Sequence, residues 1–219
     1  FEEEQSGNWL IMPIIPYGPY EMDYADENAT GFSPPSLSSG HLCGTDKTER
    51  DVLARLLYGF RIAMTFAIGY LALTYLIAIA AGSLMGFLGG KTDMVGLRLV
   101  EIWANVPFLY MVIILVSVMP GWWGVGWQVC ALLLIMVLFS WTGLTYYVRA
   151  AVYKEKSRDY VSAAKVIGAG PLRIIFKHLL PNVISTLVTF APFTIAAAIS
   201  SITALDFLGY GLPRPAPSW

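Results

Sequence analysis

The sequence predicts an all-α, polytopic membrane fold, and three observations carry that expectation. Hydrophobic residues fill 56% of the 219 positions and charged ones 13%, against about 45–50% and about 25% in soluble domains. Apolar runs near 62–88, 94–118, 127–148 and 179–204 each approach the length of about 20 residues that a helix needs to cross about 30 Å of hydrocarbon. Between the last two runs stand Arg149, Lys154, Lys156, Arg158, Lys165, Arg173 and Lys177, half of the 14 basic residues, and Lys and Arg beside a span are retained on the cytoplasmic face. A mean hydropathy of +0.60 excludes a disordered tail or a coiled coil. Backbone groups in lipid must be paired within the segment, so helices are expected, and nothing alternates as a barrel strand would. The balance of 14 basic against 15 acidic residues argues against nucleic acid as a partner.

In chain order, residues 1–45 read as an extracytoplasmic, acidic, Pro- and Tyr-rich loop. The first 40 carry seven acids, no Lys or Arg, and prolines at 13, 16, 19, 34 and 35, which is the composition of irregular structure. The sequon Asn28-Ala29-Thr30 within it is a short pattern of chance frequency. Residues 46–61 predict an amphipathic interfacial helix: Asp46 caps it with Glu49 at N3, Asp51 pairs with Arg55, and Val52, Leu53, Leu56, Leu57 and Phe60 share one face. An ordinary half-buried helix satisfies the same pattern. Residues 62–219 form the transmembrane domain. Counting back from the basic connection places 119–126 outside, 89–93 inside and 1–61 outside. Lys47, Arg50, Arg55 and Arg61 run against that rule, beside Asp46, Glu49 and Asp51. With residue 1 outside and no signal peptide, an earlier crossing is expected. Pro213–Trp219 stops in an outside loop, so the chain is read as a fragment lacking its first and last helices.

Few side chains suggest chemistry. Gly89-Gly90-Lys91-Thr92 imitates the end of a Walker A loop, but Met85 occupies the required earlier glycine and no strand precedes it. It reads as a glycine-ended helix with Lys91 at the interface. His41 and His178 stand alone, Cys43 and Cys130 lie in unlike surroundings, and no cluster has metal or nucleophile spacing. No catalytic residue, metal or cofactor is therefore assigned to this chain. Glu101 lies within an apolar run and is a pathway candidate by that fact, with Arg98 three residues earlier offering a local ion pair. Ser185, Thr189 and Ser200 are further pathway candidates. With Pro107 and Pro192 in the spans, such hydroxyls equally serve carbonyls that proline leaves free.

The most informative stretch is 153–181. Asp159 is placed to cap a short helix that Gly168 ends, and Gly170-Pro171 opens a second with proline at its first position. Two short helices at an angle make a rigid elbow, and Ala163 and Ala164 let another protein approach its backbone closely. Such an elbow transmits force between a soluble partner and the spans on either side.

The Ala163-Ala164-x-x-x-Gly168 element followed by Leu180-Pro181 resembles the EAA signature of permease subunits of ATP-binding-cassette importers, with Ser162 in place of the leading acid and His178 at the later aliphatic position. Gly44 through Arg61 is similar to the pre-span segment of the second, C-type permease in the peptide and nickel branch. Phe207-Leu-Gly-Tyr-Gly-Leu212, with Pro217-Ser-Trp219, is similar to its late outside loop, Asp206 standing where a small polar residue is expected. The acidic first 40 residues resemble the enlarged outside loop of the branch importing peptides and microcin C.

The resemblance implies the transmembrane domain of a type I importer, an EAA-motif permease of six helices paired with a homologous permease in the bacterial inner membrane. Two ATPase subunits, which would hold ATP and Mg, dock on the elbow through Asp159, Tyr160, Ser162, Ala163, Ala164, Gly168, Gly170, Pro171, Leu180 and Pro181. An extracytoplasmic solute-binding protein delivers peptides or peptide-like solutes, and alternating access moves them inward. The rival reading is a self-sufficient secondary transporter or channel using Glu101 or the hydroxyl-rich last span, which would have no use for a docking elbow.

Overall fold

The computed structural model describes residues 15–22, 32–37 and 40–213. The Asn28-Ala29-Thr30 sequon, most of the acidic first 40 residues and the Pro217-Ser-Trp219 motif lie outside them. The chain divides into two compact units, residues 1–62 with 215–219 and residues 63–214.

In the first unit a loop closes on a helix start. Asp51 lies directly before helix α1 (Val52–Leu88), and its Oδ1 accepts the Ala54 amide at 2.6 Å, an N-cap interaction of about 1 kcal/mol. Its Oδ2 lies 2.9 Å from Nδ1 of buried His41, whose ring stacks on Tyr17 at 4.3 Å. The expected cap at Asp46 is thus displaced by five residues. Asp46 closes a turn instead: Oδ1 accepts the Thr48 amide at 2.8 Å and the Arg50 amide at 3.2 Å, while Oδ2 pairs with Arg50 and Arg55. Partial burial works against its charge, but these bonds from Thr48 and Arg50 outweigh it and hold the carboxyl below its ordinary range. Arg55 therefore pairs with Asp46 rather than Asp51. The turn ends at Glu49, whose φ of 57° is left-handed and interrupts any helix started at Asp46. No separate interfacial helix forms at 46–61, because α1 runs unbroken for 37 residues.

The second unit is a helical bundle. Helix α1 ends at Gly89 and Gly90, both at positive φ. Helices α2 (Gly90–Ala104) and α3 (Phe108–Ser117) meet at Pro107 with a bend of 68°; proline lacks the amide that would continue the ladder. Helix α4 (Val125–Lys156) is central, touching α2, α3 and the last span. Along it α2 is tied at both ends, by Arg149 donating two N–H groups to Asp93 and by Trp103 Nε1 donating to the Leu138 carbonyl at 2.7 Å. Gly82 and Gly86 bring the α1 backbone onto α4: a Cβ at Gly82 would lie 2.7 Å from Val148 Cβ, and one at Gly86 2.7 Å from the Arg149 carbonyl oxygen. Lipid supplies no hydrophobic drive between helices, so close packing over small residues takes its place.

After α4 come helix α5 (Asp159–Val166) and a continuous helical stretch, Pro171–Phe207, made of α6 (Pro171–Arg173), a π turn (Ile174–Leu179) and α7 (Leu180–Phe207). The second arm of the expected elbow is therefore the beginning of the last span, not a separate short helix. The π turn has a physical cause in Pro181. Its ring would crowd the carbonyl four residues back, and the wider turn relieves this, with the Leu180 amide reaching the Ile175 carbonyl.

Two buried clusters hold the bundle. One joins Ala78 and Phe87 of α1, Val148 and Val152 of α4 and Val183 and Leu187 of α7 to α5 and the π turn. The other joins Phe66, Ala67 and Tyr70 to Val112, Leu132, Met136, Ala198 and Leu205 at the opposite end. Among the described residues three helices, α1, α4 and the Pro171–Phe207 stretch, are long and apolar enough to cross a membrane, and the bent α2–α3 pair makes a fourth only when it is taken as one broken span rather than a re-entrant loop.

Candidate functional site

The 153–181 segment is a knob fixed to two long helices. Helix α5 ends in a complete Schellman arrangement: the Ala169 amide donates to the Ala164 carbonyl at 3.0 Å, the Gly168 amide to that of Lys165 at 3.0 Å, and Gly168 takes φ 85°. Gly170 precedes Pro171, the first residue of α6, where a missing amide costs nothing and the fixed φ favours the helix. Val161 and Ala164 point inward onto Val148, Val152, Ile174, Ile175 and Leu179.

A polar chain braces this packing. Tyr160 donates its hydroxyl to Glu155 at 2.8 Å, Asn182 Nδ2 donates to the Tyr160 oxygen at 3.1 Å and to the His178 carbonyl at 3.0 Å, and Arg158 pairs with Glu155 at 3.4 Å. The end of α4, α5 and the start of α7 are thereby linked in one network. Desolvation, then the bond to anionic Glu155, raises the Tyr160 hydroxyl above its ordinary pKa, so it stays a donor at neutral pH.

The sequence-selected residues divide by position. Asp159 does not cap α5. Arg158 stands at the N-cap position without a side-chain capping bond, and Asp159 is the exposed first residue of the helix, where a carboxylate still suits the positive helix end. Ser162 and Ala163 are exposed, as are Gly168, Gly170, Pro171 and Pro181. Ala164 and Leu180 are 8% and 7% exposed. Ala164 is therefore part of the knob's internal packing and offers no surface to a partner.

Sequence reasoning missed the knob's apolar tip. Val166 is 88% exposed, Ile167 86% and Leu172 70%, amid exposed Lys165, Arg173 and Lys177. Aliphatic side chains on both sides of a glycine turn in an otherwise basic stretch are the signal by which they could have been found. Asn182 was missed too, since only the fold brings it to Tyr160.

The pathway candidates lie on two helices, Glu101 on α2 and Ser185, Thr189 and Ser200 on α7. Glu101 binds Arg98 at 2.7 Å on a half-exposed surface. Ser185 donates to the Asn182 carbonyl at 2.7 Å, and Thr189 and Ser200 are exposed along α7. Among the described residues no group of three His, Cys, Asp or Glu side chains could hold a metal ion.

Comparison with known proteins matches residues 78–219 to the family described as the binding-protein-dependent transport system inner membrane component. The chain is 36% identical to the peptidoglycan transport system permease protein YejE of Agrobacterium fabrum, over 99% of this chain and 61% of that protein. It is 38% identical to the inner membrane ABC transporter permease protein YejE of Escherichia coli, over 98% and 60%. With the oligopeptide transport system permease protein OppC of Bacillus subtilis it shares 33% identity, over 90% and 62%. The chain thus spans about 60% of the length of these curated relatives. An all-helical bundle with long apolar helices and a family match over residues 78–219, more than half of its length, make this chain a multi-pass membrane protein of the family of binding-protein-dependent transport system inner membrane components.

Proposed function

We propose that the chain is part of a permease that moves peptides or peptide-like solutes into the cytoplasm by alternating access, powered by ATPase subunits docked on the 159–181 knob. The observation that carries this reading is the knob's construction: an apolar tip, Val166, Ile167 and Leu172, stands in solvent on a frame bonded to two long helices. Isolated exposed aliphatics are ordinary. Three around one turn, on a base whose own apolar residues are buried, suit insertion into a groove of a soluble partner. Because Val161, Ala164 and Leu179 lock the knob to α4 and α7, displacement of the tip displaces the spans. Nucleotide shifts the bundle between two packings only if the partner grips the knob differently in each.

In this reading residues 149–178 face the cytoplasm, as their seven basic side chains favour, and residues 1–61 lie outside, facing a solute-binding protein. A homologous permease and two ATPases complete the complex in the bacterial inner membrane. The relatives named for oligopeptide and peptidoglycan transport support the solute class. The rival, an ion-coupled transporter, would need Glu101 as its coupling carboxylate, and Glu101 is engaged with Arg98.

Mild-detergent extraction of the full-length protein from its native membrane tests this. A separate ATPase is expected to co-purify, and the reconstituted complex should take up tripeptides only with ATP and the binding protein. Uptake by this polypeptide alone, driven by an ion gradient, would overturn the reading.

A further inference from the structure

Beside the knob, helix α2 is joined to α4 by a charge pair in a place where packing is sparse. Of the 15 residues of α2 only Val100 is buried, so no broad apolar seam fixes its position. It follows α1 through Gly89 and Gly90, both at positive φ, and a Cβ at Gly90 would meet nothing within 4 Å. Packing therefore does not clamp that joint. Further along, Gly96 lies against Met85 of α1 with no room for a Cβ.

The pair itself is two-pronged. Arg149 donates Nε–H to Oδ1 of Asp93 and a terminal N–H to Oδ2 at 2.5 Å, with the two side chains 26% and 14% exposed. The pairs Arg98–Glu101 and Arg158–Glu155 join residues three apart in sequence, whereas Asp93 and Arg149 stand 56 apart on different helices. A fork bound to both carboxylate oxygens fixes separation and angle together. Partial burial limits screening by salt, and parting the two would leave each charge short of its hydration. A packing contact resists only approach, but opposite charges also resist being pulled apart.

Arg149 belongs to the stretch of α4 that carries the knob. Val148 and Val152 on either side of it are buried in one cluster with Val161, Ala164 and Ile174, and the Arg149 carbonyl lies against Gly86 of α1. A displacement of the knob therefore displaces Arg149. From Arg149 back to Leu138 is about 16 Å along α4, and there the Leu138 carbonyl accepts Trp103 Nε1–H at 2.7 Å while Phe139 stacks on the Trp103 ring. Helix α2 is thus tied to α4 at two separated points. Beyond it the 68° bend leads to α3, whose Val112 is seated in the opposite buried cluster. Movement between the two ends of the bundle has that bend to take it up.

We propose that Asp93 and Arg149 are positioning residues of the transport cycle: their ion pair makes α2 follow α4 in both directions when the knob is displaced, so that nucleotide-driven movement reaches the bent α2–α3 pair. The proposal rests on the importer reading and names the part of the bundle that the knob drives.

The test uses the complete transporter in proteoliposomes with its binding protein and ATPases, and reads radiolabelled tri-alanine taken up per ATP hydrolysed. Asp93→Asn and Arg149→Gln should each lower that ratio about fivefold, within the range by which residues remote from a ligand alter coupling. The double variant leaves no charge unpaired, and it should fall no further than either single change because the two act as one pair. Lys91→Gln, which removes an exposed charge two residues before Asp93, should leave the ratio as in the wild type. Spin labels on Met94→Cys in α2 and Lys154→Cys in α4, both exposed positions, report the linkage directly once Cys43 and Cys130 are replaced by serine. Their separation should stay the same with and without ATP when the pair is intact, and should change with ATP in the double variant. Uptake and hydrolysis that fall together at an unchanged ratio, single effects that multiply in the double variant, an equal loss in Lys91→Gln, or a separation that changes with ATP while the pair is intact each overturn the linkage alone. Failure of the wild-type complex to take up the peptide with ATP and the binding protein present overturns the importer reading and the linkage together.

Discussion

The knob after α5 and the loop after α7 end their helices in the same way and use the result oppositely. In both, a glycine at positive φ closes a Schellman cap: Gly168 with Ala169 bonding back to Ala164, and Gly209 with Tyr210 bonding back to Leu205 at 2.8 Å. Beyond Gly209 the chain folds inward. Tyr210 and Leu212 pack on the buried cluster of Leu132, Met136 and Leu205, and Asp206 accepts the Leu212 amide to hold the fold-back. Beyond Gly168 the apolar residues stay outside. An identical cap therefore does not determine whether apolar neighbours are buried; the packing surface available behind them does. Exposure of Val166, Ile167 and Leu172 is then a property of this site and not of the motif.

The largest expected effect sharpens that contrast. Val166→Asp with Ile167→Asp should reduce ATP-driven uptake by more than tenfold, as loss of a central interface anchor does. Thermal stability should shift by no more than about 0.5 kcal/mol, as for other surface changes. Leu212→Ala should do the reverse, costing about 1–3 kcal/mol because a half-buried leucine is truncated, with ATPase coupling kept. Uptake assays and melting of the purified complex read both.

A middle effect lies in the glycines next to the caps. A Cβ at Gly211 would stand 1.8 Å from Asp206 Oδ1, whereas one at Gly170 meets nothing within 4 Å. Gly211→Ala should therefore destabilise by about 1–3 kcal/mol through overpacking, and Gly170→Ala by no more than about 0.5 kcal/mol. Equal melting temperatures for the two variants would remove the asymmetry.

The smallest effect concerns the polar tie of the knob. Tyr160→Phe deletes the hydroxyl between Glu155 and Asn182 and should cost up to about 1 kcal/mol, since the bonds are partly in water. The sign with pH follows from the raised pKa. Folding favours the neutral phenol, so its contribution is complete below the ordinary value of 10.0 and is lost as pH climbs through the higher folded value. Hydrogen exchange in α5 should quicken over that alkaline range in the wild type, and Tyr160→Phe should flatten the dependence.

Much of this architecture was legible one segment at a time. The apolar runs marked the long helices, the glycines at 89 and 168 marked helix ends, and Pro171 marked a helix start, because hydropathy and backbone freedom act locally. The failures share a cause as well. Asp46 and Asp51 both carry a carboxylate able to cap, and the choice fell to Asp51 because His41 meets it and because Glu49 adopts a left-handed φ. Ala163 and Ala164 are alike in sequence, yet only Ala164 faces the core. The π turn was hidden because its cause, Pro181, acts on carbonyls one turn back.

By itself the sequence determined that the chain lives in a bilayer, where its long helices run and that a rigid corner lies between the last two, since each follows from residues close together along the chain. Only the tertiary structure decided which side chains that corner exposes, how closely α1 and α4 approach over Gly82 and Gly86, and that Tyr70, Thr74, Ser140 and Phe190 line one groove. Those outcomes depend on contacts between residues tens of positions apart, where the packing of one helix settles which face of another is left uncovered.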